Sequence, residues 1–314
     1  MTRPPAPAFL FSGQLAETIG MGRDFFQADE EARRLFAGTS RQCGIDLEKI
    51  LFSGPEEALH ENLAAQAGVY LVSTLAARAL ARAGIEPSAT AGYSLGNYAA
   101  MVSAGAVSYE DALDVLIAVW RETERLGIRG AMGAVVGARR DLVDGVCGDL
   151  RARGLPVWIG NVNATTQFVL TGTVPAVAAA LEALAPRSLR VLPLGMNWPI
   201  HSELMRPVAD AVAPVVENCR SVRAPAIPFY GPDGGRAMTA ADVRRYLATE
   251  FLHPTLWNAT VEAMVADGHR EFLEVGPGDM LSKMTRWIDR SVACRGAGTV
   301  AAVEELSAIL RDQS

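Results

Sequence analysis

The pentapeptide GYSLG at residues 92–96 constrains the fold of this chain more than any other feature. It follows a short apolar stretch, residues 89–91, and leads into a stretch of helical character, residues 97–104. A serine between two glycines at a strand-to-helix turn is the pattern of a nucleophile elbow. There the glycines relieve steric crowding and the serine hydroxyl stays accessible at the helix N-terminus. The sequence therefore predicts a strand, turn and helix with Ser94 as the candidate nucleophile.

The rest of the chain favours an α/β fold. Short apolar strand candidates alternate with longer helical patterns, which is typical of a mostly parallel sheet covered by helices. The strand candidates are residues 8–11, 89–91, 227–230 and 272–275. Helices are predicted over residues 64–83 and after Ser108, an N-cap candidate with Asp111 three residues on as in a capping box. Because parallel strands end at one edge of their sheet, we expect the ligand site there.

A second, smaller domain is predicted within the first. Its pattern is a strand at 130–137, a helix at 141–153, strands at 157–162 and 167–171, a helix at 175–184 and a strand at 189–192. This βαββαβ order is that of a ferredoxin-like unit. We therefore predict a large α/β-hydrolase-like catalytic domain from residues 1–128 and 199–314, with a small ferredoxin-like domain inserted at 129–198. A cleft between them would be the natural ligand site.

Composition and charge exclude several classes of protein. The chain has 314 residues, 50% of them hydrophobic, so it can bury a large core. Its net charge of -6 disfavours nucleic acid and anionic membranes as partners. It has no run of 18 apolar residues and no signal-peptide pattern near its start, so a cytoplasmic location is predicted. The four cysteines lack metal-ligand spacing, so neither a disulfide framework nor a metal site is expected.

A serine nucleophile needs a base and an oxyanion hole. His201 is the strongest base candidate among the four histidines, because it lies where the chain would return from the small domain to the cleft. The other three lie in or near ordinary helices. The elbow geometry makes the backbone N–H of Leu95 one oxyanion donor. A second donor is expected in the loop after the first strand, residues 11–14.

These residues resemble the malonyl-CoA:acyl-carrier-protein transacylase family, the acyltransferases of fatty-acid and polyketide synthesis, over nearly the whole chain. The matching segments are FSGQLAE at 11–17 with GMG at 20–22, GYSLG at 92–96, PIHS at 199–202 with LM at 204–205, and EVGPG at 274–278. They are similar to the family's FPGQGSQ with GMG, its GHSxG, its segment that contains the base, and its EVGPG. Tyr93 replaces the histidine of GHSxG. Four ordered matches at the family's intervals make the resemblance specific.

The resemblance implies a ping-pong acyl transfer. Ser94 would attack an acyl thioester while His201 takes and returns the proton. The N–H groups of Leu95 and Gln14 would hold the oxyanion, and the acyl group would pass to the phosphopantetheine thiol of an acyl carrier protein. No cofactor is expected, because phosphopantetheine arrives on the CoA or carrier-protein substrate. The family orients its histidine with a main-chain carbonyl in a segment that matches residues 250–254, where glutamine is common at the position of Glu250. A carboxylate there would raise the histidine's pKa, unless it is merely solvated.

The departures from the family pattern concern the acyl group. Malonyl-type members carry an arginine that binds the free carboxylate of the substrate, and that position falls on Val119. Arg121 is the nearest arginine and lies about 200° further around the helix. We therefore expect an acyl group without a free carboxylate, such as a fatty acyl, acetyl, starter or aminoacyl group. Alternatively, a local shift makes Arg121 the clamp. Trp198 and Ile200 are expected to line the pocket with Tyr93, or else to pack at the hinge.

A carrier-protein docking face is also expected to be basic, because carrier proteins are acidic. Lys283, Arg286 and Arg290 recur at spacings of three and four in what is predicted as the last major helix, so they would share one face. A simple solvated face is the alternative. Three functions remain open: a discrete acyltransferase for a non-malonyl group in polyketide assembly, an ordinary malonyl transferase that uses Arg121, and an editing hydrolase that removes acyl groups from carriers.

Overall fold

The computed structural model describes residues 6–312. The strands are β1 (Ala8–Phe11), β2 (Thr90–Gly92), β3 (Ala131–Val136), β4 (Val157–Ala164), β5 (Gln167–Gly172), β6 (Arg190–Pro193), β7 (Phe229–Tyr230), β8 (Arg236–Ala237), β9 (Glu271–Val275) and β10 (Ala293–Gly296).

The helices are α1 (Arg23–Ala28), α2 (Glu30–Cys43), α3 (Leu47–Ser53), α4 (Glu56–Leu59), α5 (Asn62–Arg82), α6 (Gly96–Ser103), α7 (Tyr109–Arg125), α8 (Arg140–Ala152), α9 (Val174–Leu184), α10 (Arg206–Asn218), α11 (Ala240–Thr249), α12 (Trp257–Ala266), α13 (Met280–Ile288) and α14 (Val300–Asp312). Short 3₁₀ turns lie at Ala185–Arg187 and Glu203–Met205.

The larger sheet has the strand order β10-β9-β1-β2-β7-β8. Its strands pair in parallel, except that β8 runs antiparallel to β7. The central strand β1 is fully buried, as expected for a parallel sheet covered on both faces. The predicted α/β fold with a mostly parallel sheet is therefore confirmed. The sequence did not indicate β8 and β10, because two or four residues at a sheet edge carry no recognisable pattern.

The smaller sheet is antiparallel, with the order β4-β5-β3-β6. Helices α8 and α9 pack on it around a separate apolar cluster that includes Val135, Phe168 and Leu184. The predicted βαββαβ order is present, and all four strands lie inside residues 129–198. The edge strand β4 also contacts the larger unit, since Val162 N–H donates to the Thr255 carbonyl and Thr255 N–H donates to that of Gly160, each at 2.9 Å.

Helix α5 passes through the core of the larger unit. By length and composition alone it could cross a membrane, but 83% of its most apolar window is buried inside the protein. A helix that is apolar on nearly all sides fits such a buried position. It packs against α6, which carries the nucleophile elbow at its N-terminus.

Helix α7 begins as predicted, but its capping differs from the expected pattern. Ser108 Oγ accepts a hydrogen bond from Asp111 N–H at 3.1 Å. The Asp111 carboxylate does not return to the N-cap as a capping box requires. It accepts instead from the N–H and hydroxyl of Ser221 at 2.9 and 2.6 Å. The carboxylate therefore ties α7 to the segment after α10.

Candidate active site

Ser94 lies at the turn between β2 and α6, in the left-handed region with φ of 51°. The two glycines of the motif allow this turn. A Cβ on Gly92 would overlap the backbone of Gly96 and Asn97, and a Cβ on Gly96 would overlap the carbonyl of Phe11 at the end of β1. The predicted elbow geometry is therefore present, and only glycine fits on both sides of it.

His201 lies within hydrogen-bond distance of this serine. Its Nε2 is 2.7 Å from Ser94 Oγ. Its Nδ1 lies 3.1 Å from the carbonyl oxygen of Glu250 and 2.9 Å from that of His253. Since carbonyl oxygens only accept, Nδ1 must carry the proton, which leaves Nε2 free to accept the serine proton. The arrangement is that of an activated nucleophile with an oriented base.

Backbone strain is concentrated at this site. Leu15, Ser94 and His201 are the non-glycine residues with positive φ in the described part of the chain, with values of 74°, 51° and 63°. All three line one cavity. Each such conformation costs on the order of 1–3 kcal/mol and persists only where the surroundings impose it. At His201 the backbone N–H donates to the Phe251 carbonyl at 2.6 Å, which helps to impose it.

The two backbone N–H groups expected to form the oxyanion hole make no hydrogen bond within the described residues. Within residues 6–312, neither Leu95 N–H nor Gln14 N–H donates a hydrogen bond. The Gln14 side chain is held in place, because its amide nitrogen donates to Asn62 Oδ1 and its oxygen accepts from Gln66 Nε2, each at 3.2 Å. Gln14, Leu95 and Ser94 line the same cavity, so both residues lie beside the nucleophile, and neither backbone N–H has an acceptor within residues 6–312.

Two cavities meet at Ser94. We call the first the sheet chamber. Its empty volume, including the solvent-open mouth, is about 360 Å³, and its lining residues are Gln14, Leu15, Tyr93, Ser94, Met132, Asn161, Val169, Leu194, Met196, Ile200 and His201. We call the second the helix chamber. Its empty volume, including the solvent-open mouth, is about 370 Å³, and its lining residues are Gln14, Gln66, Ser94, Leu95, Tyr98, Leu116, Val119, Trp198, Ile200, Glu250 and Phe251. The first lies against the smaller sheet and the second against α5, α6 and α7.

The residues expected around the acyl group separate into two sets. Val119, Trp198 and Ile200 all line the helix chamber. Trp198 is fully buried and its indole N–H donates to the Glu124 carboxylate at 3.1 Å. Arg121 does not line either chamber; its side chain is 59% exposed and pairs with Glu122 at 3.4 Å. The helix has therefore not slipped to bring Arg121 into the position of Val119.

Tyr93 links the two units of the protein. Its hydroxyl donates to Asn163 Oδ1 at 2.9 Å, and both residues are buried. Asn163 lies on β4, and Thr255 Oγ1 lies 3.4 Å from His201 Nε2. Sequence reasoning missed both of these residues. Neither was found from a local motif, since Asn163 reaches Tyr93 across 70 residues of the chain and Thr255 reaches His201 across 54.

Glu250 differs from both sequence-based alternatives. It is 5% exposed, so the solvated alternative is wrong. Burial raises its pKa to about 8, although the nearby Asn97 side chain opposes that shift. Burial also lowers the pKa of His201 to about 4, although the carbonyls of His253 and Glu250 oppose that shift. The expectation that Glu250 raises the histidine's pKa is therefore wrong, because the carboxyl is mostly neutral near pH 7 and desolvation dominates.

Replacing Glu250 by glutamine is expected to stabilise the protein increasingly as pH rises. The ordinary pKa of a glutamate is 4.5, against about 8 in the folded protein. Between these values the folded state binds more protons than the unfolded state, so the free energy of unfolding falls with rising pH. Glutamine does not titrate, so the free energy of unfolding of the variant should rise relative to that of the wild type by up to about 1.4 kcal/mol per pH unit. Urea unfolding at pH values from about 5 to 8 measures the difference, with the exposed Glu262→Gln as control. A difference that is constant with pH would contradict the burial of this carboxyl.

The candidate docking residues lie on α13 and just after it. Lys283 and Arg286 are exposed on this helix, and Lys283 Nζ pairs with Asp279 at 2.8 Å. The helix ends at Ile288, so Arg290 lies beyond it in a turn, and the prediction of one shared helix face is wrong for Arg290. Nor is α13 the last helix, because α14 follows. Helix α13 stops before Arg290 because the backbone leaves the helical conformation at Asp289, which has a φ of -141°.

A metal centre is not formed by the described residues. Within 6–312, no group of three or more His, Cys, Asp or Glu side chains is placed to hold a metal ion. All four cysteines have free thiols.

Comparisons with known proteins agree over nearly the full length. The family model for the acyl transferase domain matches residues 8–301. A malonyl CoA-acyl carrier protein transacylase of Bacillus subtilis (strain 168) is 31% identical over 288 residues, 90% of both chains. The enzyme of that name from Escherichia coli (strain K12) is 32% identical over 288 residues, 90% of this chain and 92% of the relative.

Solved structures give the same result. A type II PKS acyl-carrier protein in complex with its malonyl-transacylase matches with a TM-score of 0.91 at 29% identity, over 97% of this chain and 100% of the other. The MCAT from Streptococcus pneumoniae matches with a TM-score of 0.87 at 28% identity, over 98% of this chain and 99% of the other.

Proposed function

This chain belongs to the acyl transferase domain family, and we propose that it moves an acyl group from a CoA or carrier-protein thioester to the phosphopantetheine thiol of an acyl carrier protein. The observation that carries the proposal is the 2.7 Å separation of Ser94 Oγ and His201 Nε2 at a strained elbow. The carrier-protein partner of the solved complex supports the choice of acceptor.

The transfer takes place in two half-reactions, acylation of Ser94 and transfer of the acyl group to the acceptor thiol. Ser94 Oγ attacks the thioester carbonyl while His201 Nε2 takes the hydroxyl proton. The N–H groups of Leu95 and Gln14 stabilise the tetrahedral oxyanion. Collapse of this intermediate breaks the carbon–sulfur bond, and the imidazolium returns its proton to the departing sulfur. The incoming phosphopantetheine thiol then reverses these steps on acyl-Ser94. Two thioesters are nearly equal in free energy, so the enzyme's main task is to keep water from the acyl-serine.

The two chambers suit the two parts of such a substrate. The sheet chamber, with Met132, Val169 and Met196 on its walls, would take the phosphopantetheine arm. The helix chamber would take the acyl group, because it lies on the other side of Ser94 among buried side chains. No separate cofactor is needed, because phosphopantetheine arrives on the substrate.

The acyl group proposed for this enzyme lacks a free carboxylate. Val119 lines the helix chamber, and none of the chamber's described lining residues is a lysine, arginine or histidine. Burying a carboxylate without a partner costs several kcal/mol. Such specificity favours a role in polyketide assembly over bulk malonyl transfer. A malonyl transferase that uses Arg121 is the less favoured function, because Arg121 faces solvent in its pair with Glu122.

We also propose that the reaction takes place in the cytoplasm. The four free thiols suit a reducing compartment. Lys283 and Arg286, with Arg290 just beyond the helix, are offered as the basic docking surface for an acidic carrier.

Intact mass measurement tests this function. The protein is incubated with acetyl, fatty acyl, aminoacyl and malonyl pantetheine thioesters, and then with holo acyl carrier protein or with buffer alone. We expect an acyl adduct on Ser94 that moves to the carrier faster than it hydrolyses, with malonyl as the weakest donor. Preferential malonylation would contradict the specificity. Rapid release of free acid without transfer would favour the editing hydrolase, and no adduct from any donor would overturn the function.

A further inference from the structure

The helix chamber contains a buried carboxyl group that the protein does not satisfy. Glu250 is 5% exposed and lines the chamber, yet its Oε2 has no hydrogen-bond partner. The Asn97 side chain, which lies close enough to lower the pKa of this carboxyl, is fully buried, and neither of its polar atoms makes a direct hydrogen bond. Buried polar atoms are nearly always hydrogen-bonded, so an unsatisfied oxygen at a ligand chamber indicates that the ligand completes it.

The surroundings of this carboxyl favour a donor with positive charge. Glu250 is the acidic member of the chamber's lining, and the described lining residues supply no basic side chain to pair with it. The amide nitrogen of Gln66 is already used, since it donates to Gln14. Leu116, Val119 and Trp198 make much of the remaining wall apolar. An ammonium group would therefore meet one carboxyl and no competing cation.

We propose that the acyl group of this enzyme carries an amino group, which binds the Glu250 carboxyl inside the helix chamber. This inference rests on the proposed function and narrows its substrate class. When an ammonium binds the protonated carboxyl, one proton leaves to solvent and a carboxylate–ammonium pair remains, with no covalent bond changed. Charge-assisted hydrogen bonds of this kind are about twice as strong as neutral ones. A plain alkyl chain would leave Glu250 Oε2 unsatisfied, and a malonyl carboxylate would find no basic partner among the chamber's described lining residues.

Two pairs of equal-sized donors test the proposal. β-Alanyl pantetheine is compared with butanoyl pantetheine, and alanyl with isobutanoyl, so that each pair exchanges only an amino group for a methyl group. The kcat/KM for acylation of Ser94 is measured by intact mass at neutral pH. We expect the amino member of at least one pair to react about tenfold to a hundredfold faster, the range for a hydrogen bond to a charged group. The pair that shows the preference places the amino group at the α or the β carbon.

The variant Glu250→Gln removes the charge and keeps the side-chain volume. The ratio of the two rate constants within the favoured pair is expected to fall about tenfold or more, and this ratio cancels any general loss of activity. Glu262→Gln, on the exposed face of α12, is the matched control and keeps the ratio. Equal constants within both pairs, or an unchanged ratio in Glu250→Gln, would overturn the proposal alone. Failure of every donor to acylate Ser94 would instead overturn the function on which it rests.

Discussion

Replacing Ser94 by alanine is expected to abolish the acyl adduct and to lower transfer to the carrier protein by about 10³-fold or more. Alanine removes the Oγ that attacks the thioester and leaves the elbow backbone in place. Replacing His201 by asparagine is expected to slow acylation by about 10²-fold to 10⁴-fold, the usual contribution of a general base. Asparagine is chosen because His201 has a φ of 63°, which asparagine tolerates better than most residues. Intact mass and carrier-acylation assays measure both effects.

The control for these variants is His269→Gln. His269 bonds to Ser88 at 3.1 Å and lines neither chamber, so its replacement is expected to leave acylation unchanged. Near-normal adduct formation in Ser94→Ala would show that another residue is the nucleophile. Retained activity in His201→Asn would show that the 2.7 Å contact is not the route of the proton.

Replacing Gly96 by alanine is expected to destabilise the protein by about 3 kcal/mol or more, the upper range for overpacking. The new Cβ would overlap the backbone of Phe11 and Ser12, so relief requires β1 and the elbow to separate. Because whole domains are stable by only about 5–15 kcal/mol, this is a large fraction of the total. Urea unfolding followed by circular dichroism measures the change, and acylation of Ser94 should fall with it.

Gly145→Ala is the matched control for that substitution. Gly145 lies within α8, and a Cβ there would meet no atom within 4 Å. Alanine is the better helix former, so this variant is expected to gain about 0.5–1 kcal/mol. A Gly96→Ala protein as stable as the wild type would mean that the elbow does not pack against β1 as described.

Local sequence patterns were sufficient for most of the secondary structure. Strand β1 has the predicted bounds, and β2 is displaced by one residue from the predicted 89–91. The apolar run before a glycine-rich turn is a signal carried by adjacent residues, so it can be seen without a fold. By contrast, β8 contains two residues and exists only because β7 offers it hydrogen bonds. The capping of α7 was half predicted, since the Ser108 bond is local whereas the Ser221 bond to Asp111 spans 110 residues.

The candidate site also has features that local sequence patterns predict and contacts that they do not. The serine motif and the position of His201 could be found in the sequence, because local patterns show both the flanking glycines and the order of the strands and helices. The contacts of Tyr93 with Asn163 and of His201 with Thr255 could not, because they join residues 70 and 54 positions apart in the chain.

The sequence by itself determined the α/β architecture and the elbow around Ser94, since both follow from the spacing of residues along single strands and helices. It left open whether Val119 or Arg121 faces the acyl group, and the packing of α7 placed Val119 there. Only the tertiary structure decided the state of Glu250 and His201. Their burial, and not the charge expected of a glutamate near a histidine, sets the pKa of both groups. Burial is a property of the packed chain as a whole, because residues that surround Glu250, among them Tyr98 and Val119, lie more than a hundred positions away from it in the sequence.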